Sequence, residues 1–391
     1  MKPIITLSFS TLFALNAMAT EASNFSEVFS NAKFSTELRL LYSNIDEKNA
    51  QDSFATAIGG ELKYELASLN GFGGGVALST THDIDALTGD GHKYNTNLST
   101  QEGSYSEVTQ AYVEYASENF ALHAGRQVLN TPLADSDDIR MIPNRFEAVV
   151  ASYKVEDLTF IFADVLRWNG ADAGLEDGWS KTGEDGTYVG AIIYEKETLN
   201  LSAWYYDVTK TASAYYLEAS ESLPLKDIEL TLGVQYINQK EQDNSAIEAS
   251  IYGVMAEAST EGLTLSLAYN SSARQKEKTS FSGFGGGTLF TSMDSMILDE
   301  ITQNAQASSY LASLSYEINN FNLFYAYGDF STKENVQVAK KHIAEQNLGV
   351  EYTPNNALTL STIFVNDSNK EDSNSDEFNA NNIRFLATYS F

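Results

Sequence analysis

Apolar and polar residues alternate along most of this chain, in segments about ten residues long. A period of two is the spacing of a β-strand with one apolar face, whereas a helical period would scatter leucines and glutamates around every face. The alternation is clearest in residues 53–66, 228–236, 263–269, 310–318, 348–352 and 383–391. The chain is therefore predicted to be all-β.

Eighteen such segments can be counted, and short turns alternate with longer polar loops between them. The predicted strands begin near residues 33, 53, 72, 106, 119, 146, 158, 187, 198, 213, 228, 249, 263, 307, 321, 344, 357 and 382. The loops span residues 44–52, 82–104, 129–144, 169–186, 207–212, 238–247, 271–306, 331–343 and 367–381, and only the fifth is brief. An even strand number with this asymmetry is typical of outer-membrane barrels, so we predict a transmembrane antiparallel β-barrel of 18 strands.

The first residues have the composition of an export signal. Lys2 is followed by an apolar stretch at residues 4–15 and by the small-x-small cleavage site Ala17-Met18-Ala19. We predict a signal peptide at residues 1–19 and one barrel domain at residues 20–391. No later stretch approaches the ~20 uncharged apolar residues of a transmembrane helix.

A soluble β-sandwich is the alternative, because its strands also alternate. The signal peptide, the length difference between turns and loops, and aromatic residues at strand ends favour the barrel. These aromatic residues are Tyr42, Tyr64, Tyr153, Trp168, Trp204, Tyr236 and Tyr352.

Composition narrows the possible functions. The chain has 53 acidic and 24 basic residues, a formal net charge of −29 and no cysteine. This charge argues against a nucleic-acid partner, and the lack of cysteine excludes disulfides and thiolate metal sites. With 22 Tyr and 21 Phe the chain is too aromatic for a disordered acidic segment.

The third long loop has an unusual composition for a solvated loop. Residues 129–144 hold three aspartates, two prolines and several apolar side chains, and three arginines lie in it or at its ends. Leu133, Ile139, Met141 and Ile142 need a surface to pack against, and the barrel interior provides one. Folded into the lumen, this loop would narrow the pore and place opposite charges across it.

Two motifs in this region resemble a known family. Residues 125–133 read G-R-Q-x-L-x-T-P-L, and residues 138–146 read D-x-R-x-x-P-x-x-F. They resemble the constriction region of the OprD-like outer-membrane porins, which include the major outer-membrane porins of ε-proteobacteria. The alternation that ends at Phe391 similarly resembles the signal by which the barrel assembly machinery of Gram-negative bacteria recognises its clients.

The resemblance implies an eighteen-stranded channel for small hydrophilic solutes, and a homotrimer. It also implies a pore constriction with acidic groups at Asp135, Asp137 and Asp138 and basic groups at Arg140 and Arg145. The alternative for each of these charges is an ion pair that pins the loop to the wall.

Further charged residues are assigned by alternation. Arg126 falls in the lipid-facing phase of its strand, which is unfavourable near the membrane midplane, and a bulge at Gly125 would turn it into the constriction. Arg39 and Arg384 face the lumen from the first and last strands and could form a basic patch. The remaining predicted wall residues are Glu61, Glu114, Glu229 and Glu351.

The sequence contains little that indicates catalysis or cofactor binding. The histidines, His82, His92, His123 and His342, lack the H-E-x-x-H spacing of a metalloprotease. Residues 283–287 are glycine-rich but lack the lysine of a phosphate loop, and we interpret them as a flexible loop tip. No cofactor is predicted. The acidic loops at residues 172–185 and 367–377 could hold divalent cations against anionic lipid, or could simply be solvated.

The sequence as a whole predicts a porin in the outer membrane of a Gram-negative bacterium. It would be a water-filled, cation-preferring channel for passive diffusion, in contact with outer-membrane lipid and lipopolysaccharide. The main alternative is a substrate-selective channel for amino acids or small carboxylates. An adhesin, a structural barrel or a barrel enzyme is a more distant one.

Overall fold

The computed structural model describes residues 21–49, 52–84, 98, 104–170, 173, 178–333, 339–372 and 377–391. The predicted signal peptide at residues 1–19 lies outside these ranges. A short helix, α1 (Phe25–Ser30), precedes the first strand, and the Asn24 side chain accepts backbone N–H groups at its start. No helix in the described ranges has the length and apolar character to cross a membrane.

Eighteen long antiparallel strands form one continuous sheet. They are β1 (Lys33–Glu47), β2 (Ser53–Glu65), β3 (Phe72–Asp83), β4 (Ser104–Ala116), β5 (Phe120–Gln127), β6 (Arg145–Val155), β7 (Leu158–Asn169), β8 (Thr187–Lys196), β9 (Leu199–Val208), β10 (Ala212–Leu225), β11 (Ile228–Glu241), β12 (Ala249–Thr260), β13 (Leu263–Ser272), β14 (Ala307–Ile318), β15 (Phe321–Thr332), β16 (His342–Asn355), β17 (Leu358–Asn369) and β18 (Ala380–Ser390). A two-residue strand, Ser180–Lys181, extends the pairing along β7. Every strand begins within two residues of its predicted position.

The sheet is closed because β1 pairs with β18 as well as with β2. Glu37 to Glu47 pair with Ser390 to Ala380 along this contact, which we call the seam. Closure leaves no free sheet edge along the barrel, which is the condition for a β-structure to span a lipid bilayer. The predicted 18-stranded antiparallel barrel is confirmed.

The outer face of the barrel wall exposes large apolar side chains, the reverse of the surface of a soluble protein. On β12, Tyr252 and Val254 are 52% and 49% exposed on the outer face, whereas Ile251 and Met255 point inward and are 1% and 4% exposed. Period-two alternation thus separates a lipid-facing surface from an interior that holds polar side chains and inward loops.

The connections at one end of the barrel are tight. In five two-residue turns the first residue has a positive φ, between 43° and 59°, as the type I′ and II′ turns between twisted strands require. These residues are Glu156, Glu197, Lys226, Glu261 and Asn319. Such turns leave no chain to enter the pore, so loops from the opposite end must narrow it.

Candidate functional site

Loop 3, residues 128–144, folds into the barrel. It forms a small hairpin in which Asn130–Thr131 pairs with Ala134–Asp135. Met141 and Ile142 are 2% and 6% exposed and pack in one cluster with Leu41 of β1. Burial of these apolar side chains stabilises the inward position. The loop therefore lies in the lumen, as its composition predicts.

Arg39 of β1 holds loop 3 against the wall. Its Nη1 and Nη2 donate to Oδ1 and Oδ2 of Asp138 at 2.6 and 2.9 Å, and Nη1 also donates to the carbonyl oxygen of Arg140 at 2.6 Å. Burial raises the pKa of Asp138, but the charge of Arg39 and its hydrogen bonds outweigh burial, so that this pKa lies below its ordinary value. Asp138 is therefore an ionised anchor of the loop.

A second ion pair forms where loop 3 joins β6. Arg145 is 6% exposed, and its Nη2 lies 3.0 Å from Oε2 of Glu61 on β2. The same carboxylate accepts hydrogen bonds from the hydroxyls of Ser79 and Thr109 and from Nε2 of Gln110. Glu61 is thus part of a buried polar network rather than a solvated wall residue.

The other predicted charges of the constriction lie within loop 3. Oδ1 of Asp135 accepts the backbone N–H of Asp137 at 2.9 Å, in a turn where Asp137 has a φ of 41°. Nη1 of Arg140 lies 3.8 Å from Oδ2 of Asp137. The side chains of Asp135, Asp137 and Arg140 therefore take no part in the ion pairs with Arg39 and Glu61 that anchor the loop.

A second loop, which was not predicted to fold inward, also enters the barrel. Loop 7, residues 273–306, also enters the barrel and meets loop 3 through a parallel bridge between Ala134 and Phe284. Phe284 is 7% exposed and packs edge-on against Trp168, and Leu298 is fully buried. The signal was present in the sequence, because loop 7 is rich in Phe, Leu and Met, the same apolar content that indicated loop 3.

The glycine-rich stretch at residues 283–287 is not the flexible tip that the sequence predicts. Gly285 has a φ of 80°, and a Cβ placed there would lie 2.2 Å from Nδ2 of Asn144 in loop 3. Gly283 has a φ of 98°, and a Cβ placed there would lie 2.7 Å from the carbonyl oxygen of Leu133. Glycine is needed here because the two loops pack backbone to backbone.

The far end of loop 7 is fixed to the barrel wall. Nη2 and Nη1 of Arg384 on β18 donate to Oδ1 and Oδ2 of Asp294 at 2.5 and 3.2 Å. The fully buried carboxylate of Glu345 on β16 accepts the backbone N–H groups of Asp294, Ser295 and Met296. Loop 7 thus crosses the lumen from the loop 3 contact to the seam.

The predicted basic patch of Arg39 and Arg384 does not form. Both arginines face the lumen from neighbouring strands, but Arg39 pairs in register with Thr388 and Arg384 with Ser43. Each guanidinium is neutralised by a different loop aspartate. The two arginines therefore serve as separate anchors, one for each loop.

Arg126 is not turned into the constriction. The registers of β5 with β4 and β6 run through Gly125 without a shift, so Arg126 stays in the outer row, opposite Ala111 and Glu147. Its charge is compensated instead, because Nε lies 3.0 Å from Oε1 of Glu147 and Nη1 lies 3.6 Å from Oε1 of Glu107. Nη1 also donates to the carbonyl oxygen of Val108 on β4, beyond the point where pairing with β5 ends.

The lumen wall carries more carboxylates than those predicted from alternation. Besides Glu114, Glu229 and Glu351, the inward phase includes Glu218, Glu257, Glu345 and Asp367. Oε2 of Glu114 lies 4.0 Å from Nε2 of His123. In the described part of the chain, no group of three or more His, Asp or Glu side chains is arranged to hold a metal ion. The acidic loops predicted at 172–185 and 367–377 lie partly outside that part.

A closed barrel with two inward loops defines the class of protein, a β-barrel channel of the Gram-negative outer membrane. The family model described as outer membrane porin, OprD family, matches residues 27–391. The chain belongs to this family. No curated protein sequence matches the chain significantly.

Solved structures share the fold at low sequence identity. A BenF-like porin from Pseudomonas fluorescens is 17% identical, with a TM-score of 0.79 over 93% of this chain and 99% of that one. OccAB3 from Acinetobacter baumannii is 16% identical, with a TM-score of 0.79 over the same shares. OpdK from Pseudomonas aeruginosa, solved with vanillate, is 15% identical, with a TM-score of 0.78, again over 93% and 99%. These likenesses establish the architecture and not the solute.

Proposed function

We propose that this porin is a general diffusion channel that prefers cations to anions. The observation that supports the proposal is the charge balance of the lumen. Arg39, Arg145 and Arg384 are each ion-paired. A larger set of inward carboxylates has no lysine or arginine partner among the described residues, namely Glu218, Glu229, Glu257, Glu351 and Asp367.

Unpaired carboxylates in a narrow aqueous lumen raise the local cation concentration and repel anions. Loops 3 and 7 limit the size of the solute, and the route needs no chemical step. Small hydrophilic cations and neutral solutes would cross down their gradients, and anions would cross more slowly.

Planar-bilayer recording of the refolded mature protein across a tenfold KCl gradient tests this function. We expect the reversal potential to have the sign of the potassium equilibrium potential. It should be smaller in the triple variant E229Q/E257Q/E351Q, whose substitutions lie away from the loop anchors. E118Q, in an exposed turn between β4 and β5, is the matched control and should behave as the wild type. Anion selectivity of the wild type contradicts the cation preference.

A substrate-selective channel for small carboxylates is the second candidate. A cavity of about 470 Å³ lies between loop 3 and the wall near the seam, and its lining includes Lys33, Lys63, Arg39 and Arg145. Lys63 is paired with Glu65 at 2.8 Å, which leaves Lys33 as the cation of this set without an ion pair in the described chain. Block of the potassium current by millimolar benzoate in the wild type, relieved by K33Q, would favour this candidate.

A further inference from the structure

The short helix α1 is attached to the barrel at the end where the connections are tight. The N–H of Ala22 donates to the carbonyl oxygen of Ser68 at 2.7 Å, and the N–H of Ala67 donates to that of Val28 at 3.0 Å. Both hydrogen bonds join the chain around α1 to the turn between β2 and β3. In outer-membrane barrels the tight turns face the periplasm, so α1 lies at the periplasmic end.

The helix lies on the outside of the wall and not in the mouth of the pore. Tyr64 on β2 pairs in register with Phe34 and Val76, which are 63% and 45% exposed, so this row points away from the lumen. The Tyr64 hydroxyl donates to the carbonyl oxygen of Phe29 at 3.3 Å. The C-terminal end of α1 is therefore beside an outward row of the barrel.

One side chain of the helix is buried against the same wall. Val28 is 7% exposed and packs in one cluster with Leu66 and Ala67. Leu66 keeps the outward phase of Tyr64, because the ladder with β3 continues through the hydrogen bond from its N–H to the carbonyl oxygen of Gly74 at 2.9 Å. Burial of Val28 fixes the rotation of the helix, so a defined edge of it faces away from the protein.

The edge that faces away from the protein is aromatic. Phe25 and Phe29 are four residues apart, which places them on one side of the helix, and their rings meet edge to face with centroids 5.4 Å apart. They are 72% and 50% exposed. Ser26, Glu27 and Ser30 lie on the remaining side. The helix is therefore amphipathic despite its length of six residues.

Local hydrogen bonds explain where the helix begins but not why it exposes two phenylalanines. The Asn24 side chain accepts the N–H groups of Ser26 and Glu27, and the Glu27 carboxylate accepts the N–H and the hydroxyl of Ser23, both at 2.7 Å. A helix this short is not stable in water by its own propensity. Adjacent exposed aromatic rings are also unfavourable in water, which points to an apolar contact.

The aromatic edge extends the lipid-facing surface of the barrel. Phe34 at the start of β1, Phe72 at the start of β3 and Phe391 after β18 are 63%, 64% and 66% exposed. All three lie at the periplasmic end, where aromatic residues form the girdle of a barrel at the interface between membrane and water. The exposed edge of α1 is at the same end and beside the same strands.

We propose that α1 is an interfacial anchor that inserts Phe25 and Phe29 among the phospholipids of the periplasmic leaflet. The rings enter the boundary between head groups and acyl chains, and the polar side of the helix stays in the aqueous periplasm. The hydrogen bonds to the β2–β3 turn hold the helix in place, so six residues suffice. Because α1 ends at Ser30 and β1 begins at Lys33, the anchor also fixes the depth of the strand that carries Arg39.

The absence of cysteine makes the test direct, because a single introduced thiol is the only reactive one. F29C places a fluorophore on the aromatic edge, and S26C places it on the polar side of the same helix. L38C is the matched reference on the outer face of β1, since Leu38 and Phe29 are both 50% exposed.

The purified variants are reconstituted in vesicles of phosphatidylethanolamine and phosphatidylglycerol. Quenching is measured with brominated lipid and with aqueous iodide present on both sides of the membrane. We expect brominated lipid to quench F29C nearly as strongly as L38C and several-fold more strongly than S26C, whereas iodide should quench S26C most.

Two results overturn the proposal. Strong quenching of F29C by iodide and weak quenching by lipid would place the aromatic edge in water. Weak quenching by both would place protein over it, and because the vesicles contain only this chain, that protein would be a second copy.

Hydrogen exchange gives a second test that needs no label. In the same vesicles F25S/F29S should increase exchange of the α1 amides several-fold, with unchanged exchange of β1 as the sign of a folded barrel. F25L/F29L removes the contact between the rings but keeps apolar side chains, so its exchange should match the wild type. Equally fast exchange in both variants, or wild-type exchange in both, contradicts the lipid contact.

Discussion

Arg384 of β18 and Asp294 of loop 7 form a bidentate ion pair, with Nη2 to Oδ1 at 2.5 Å and Nη1 to Oδ2 at 3.2 Å. The two side chains are 7% and 11% exposed, so the pair is shielded from solvent. This pair and the contacts of Glu345 anchor loop 7 to the wall near the strand that closes the barrel.

We expect D294N to loosen loop 7. Removal of one partner of a buried pair costs about 3 to 5 kcal/mol, because the remaining charge is left uncompensated. Single-channel recording should show a higher and noisier conductance than the wild type. E371Q breaks the exposed pair of Lys340 and Glu371, which contributes about 0 to 1 kcal/mol, and should leave the conductance unchanged. Wild-type conductance in D294N would show that the anchor is dispensable.

The loop 3 aspartates should differ in their effects. D135N/D137N removes two negative charges from loop 3 while Asp138 keeps its contact with Arg39. We expect this variant to lower the ratio of potassium to chloride permeability in the tenfold gradient. D138N should also change the conductance, because it leaves Arg39 only Glu37 as an ion-pair partner. Identical behaviour of D135N/D137N and the wild type would exclude both aspartates from the selectivity region.

Selectivity should fall as the solution becomes acidic. Burial raises the pKa of Asp299 to about 6, and burial together with the charges of Asp367 and Asp299 raises the pKa of Glu300 to about 7. A carboxyl with a raised pKa loses its negative charge as pH falls through that value. The permeability ratio should therefore decrease between about pH 8 and pH 5, with a smaller decrease in D299N/E300Q. A pH-independent ratio in the wild type contradicts this assignment.

The same protonation should favour docking of loop 7. A folded-state pKa above the unfolded value means that the docked loop binds more protons, so its stability is greatest at low pH and is lost as pH rises through the raised pKa. Limited proteolysis within loop 7 should therefore be slower at pH 5.5 than at pH 8. The D299N/E300Q variant should show little difference between the two pH values.

Close packing of the two loops can be tested at one glycine. G285A combines a φ of 80° with a Cβ that would lie 2.2 Å from Nδ2 of Asn144. G178A combines a similar φ of 72° with no atom within 4 Å. Both variants bear the backbone strain of about 1 kcal/mol or more, but only G285A should separate loop 7 from loop 3. The readouts are thermal stability of the barrel and conductance noise, and equal effects of the two variants contradict the packing role.

The barrel was predictable from the sequence because lipid imposes one rule on every strand. An inward residue such as Met255 faces the barrel interior and an outward residue such as Val254 faces lipid, so alternation persists through each strand and marks its ends. No comparable rule governs loops. The inward position of loop 3 could be inferred from its isolated apolar residues, and the same reasoning applied to Phe284 and Leu298 would have placed loop 7 inside.

The pairing of the charges was not predictable in the same way. Arg39 and Asp138 are 99 residues apart, and Arg384 and Asp294 are 90 apart, so no local spacing links the partners. The sequence indicated that Arg39 and Arg384 face the lumen, but the carboxylate that each one meets depends on how two loops fold. Arg126 shows the opposite case, since strict alternation was correct and the bulge introduced to avoid an outward charge was not.

Pairing of β1 with β18 at the seam brings together the two strands on which the inward loops are anchored. Loop 3 is anchored on β1 and loop 7 on β18, which are the first and last strands of the barrel. A barrel whose end strands have not yet met lacks a correctly positioned pair of anchors, so its loops cannot settle together across the lumen. We therefore expect narrowing to be a late event in assembly, with the pore restricted only after the two end strands have joined.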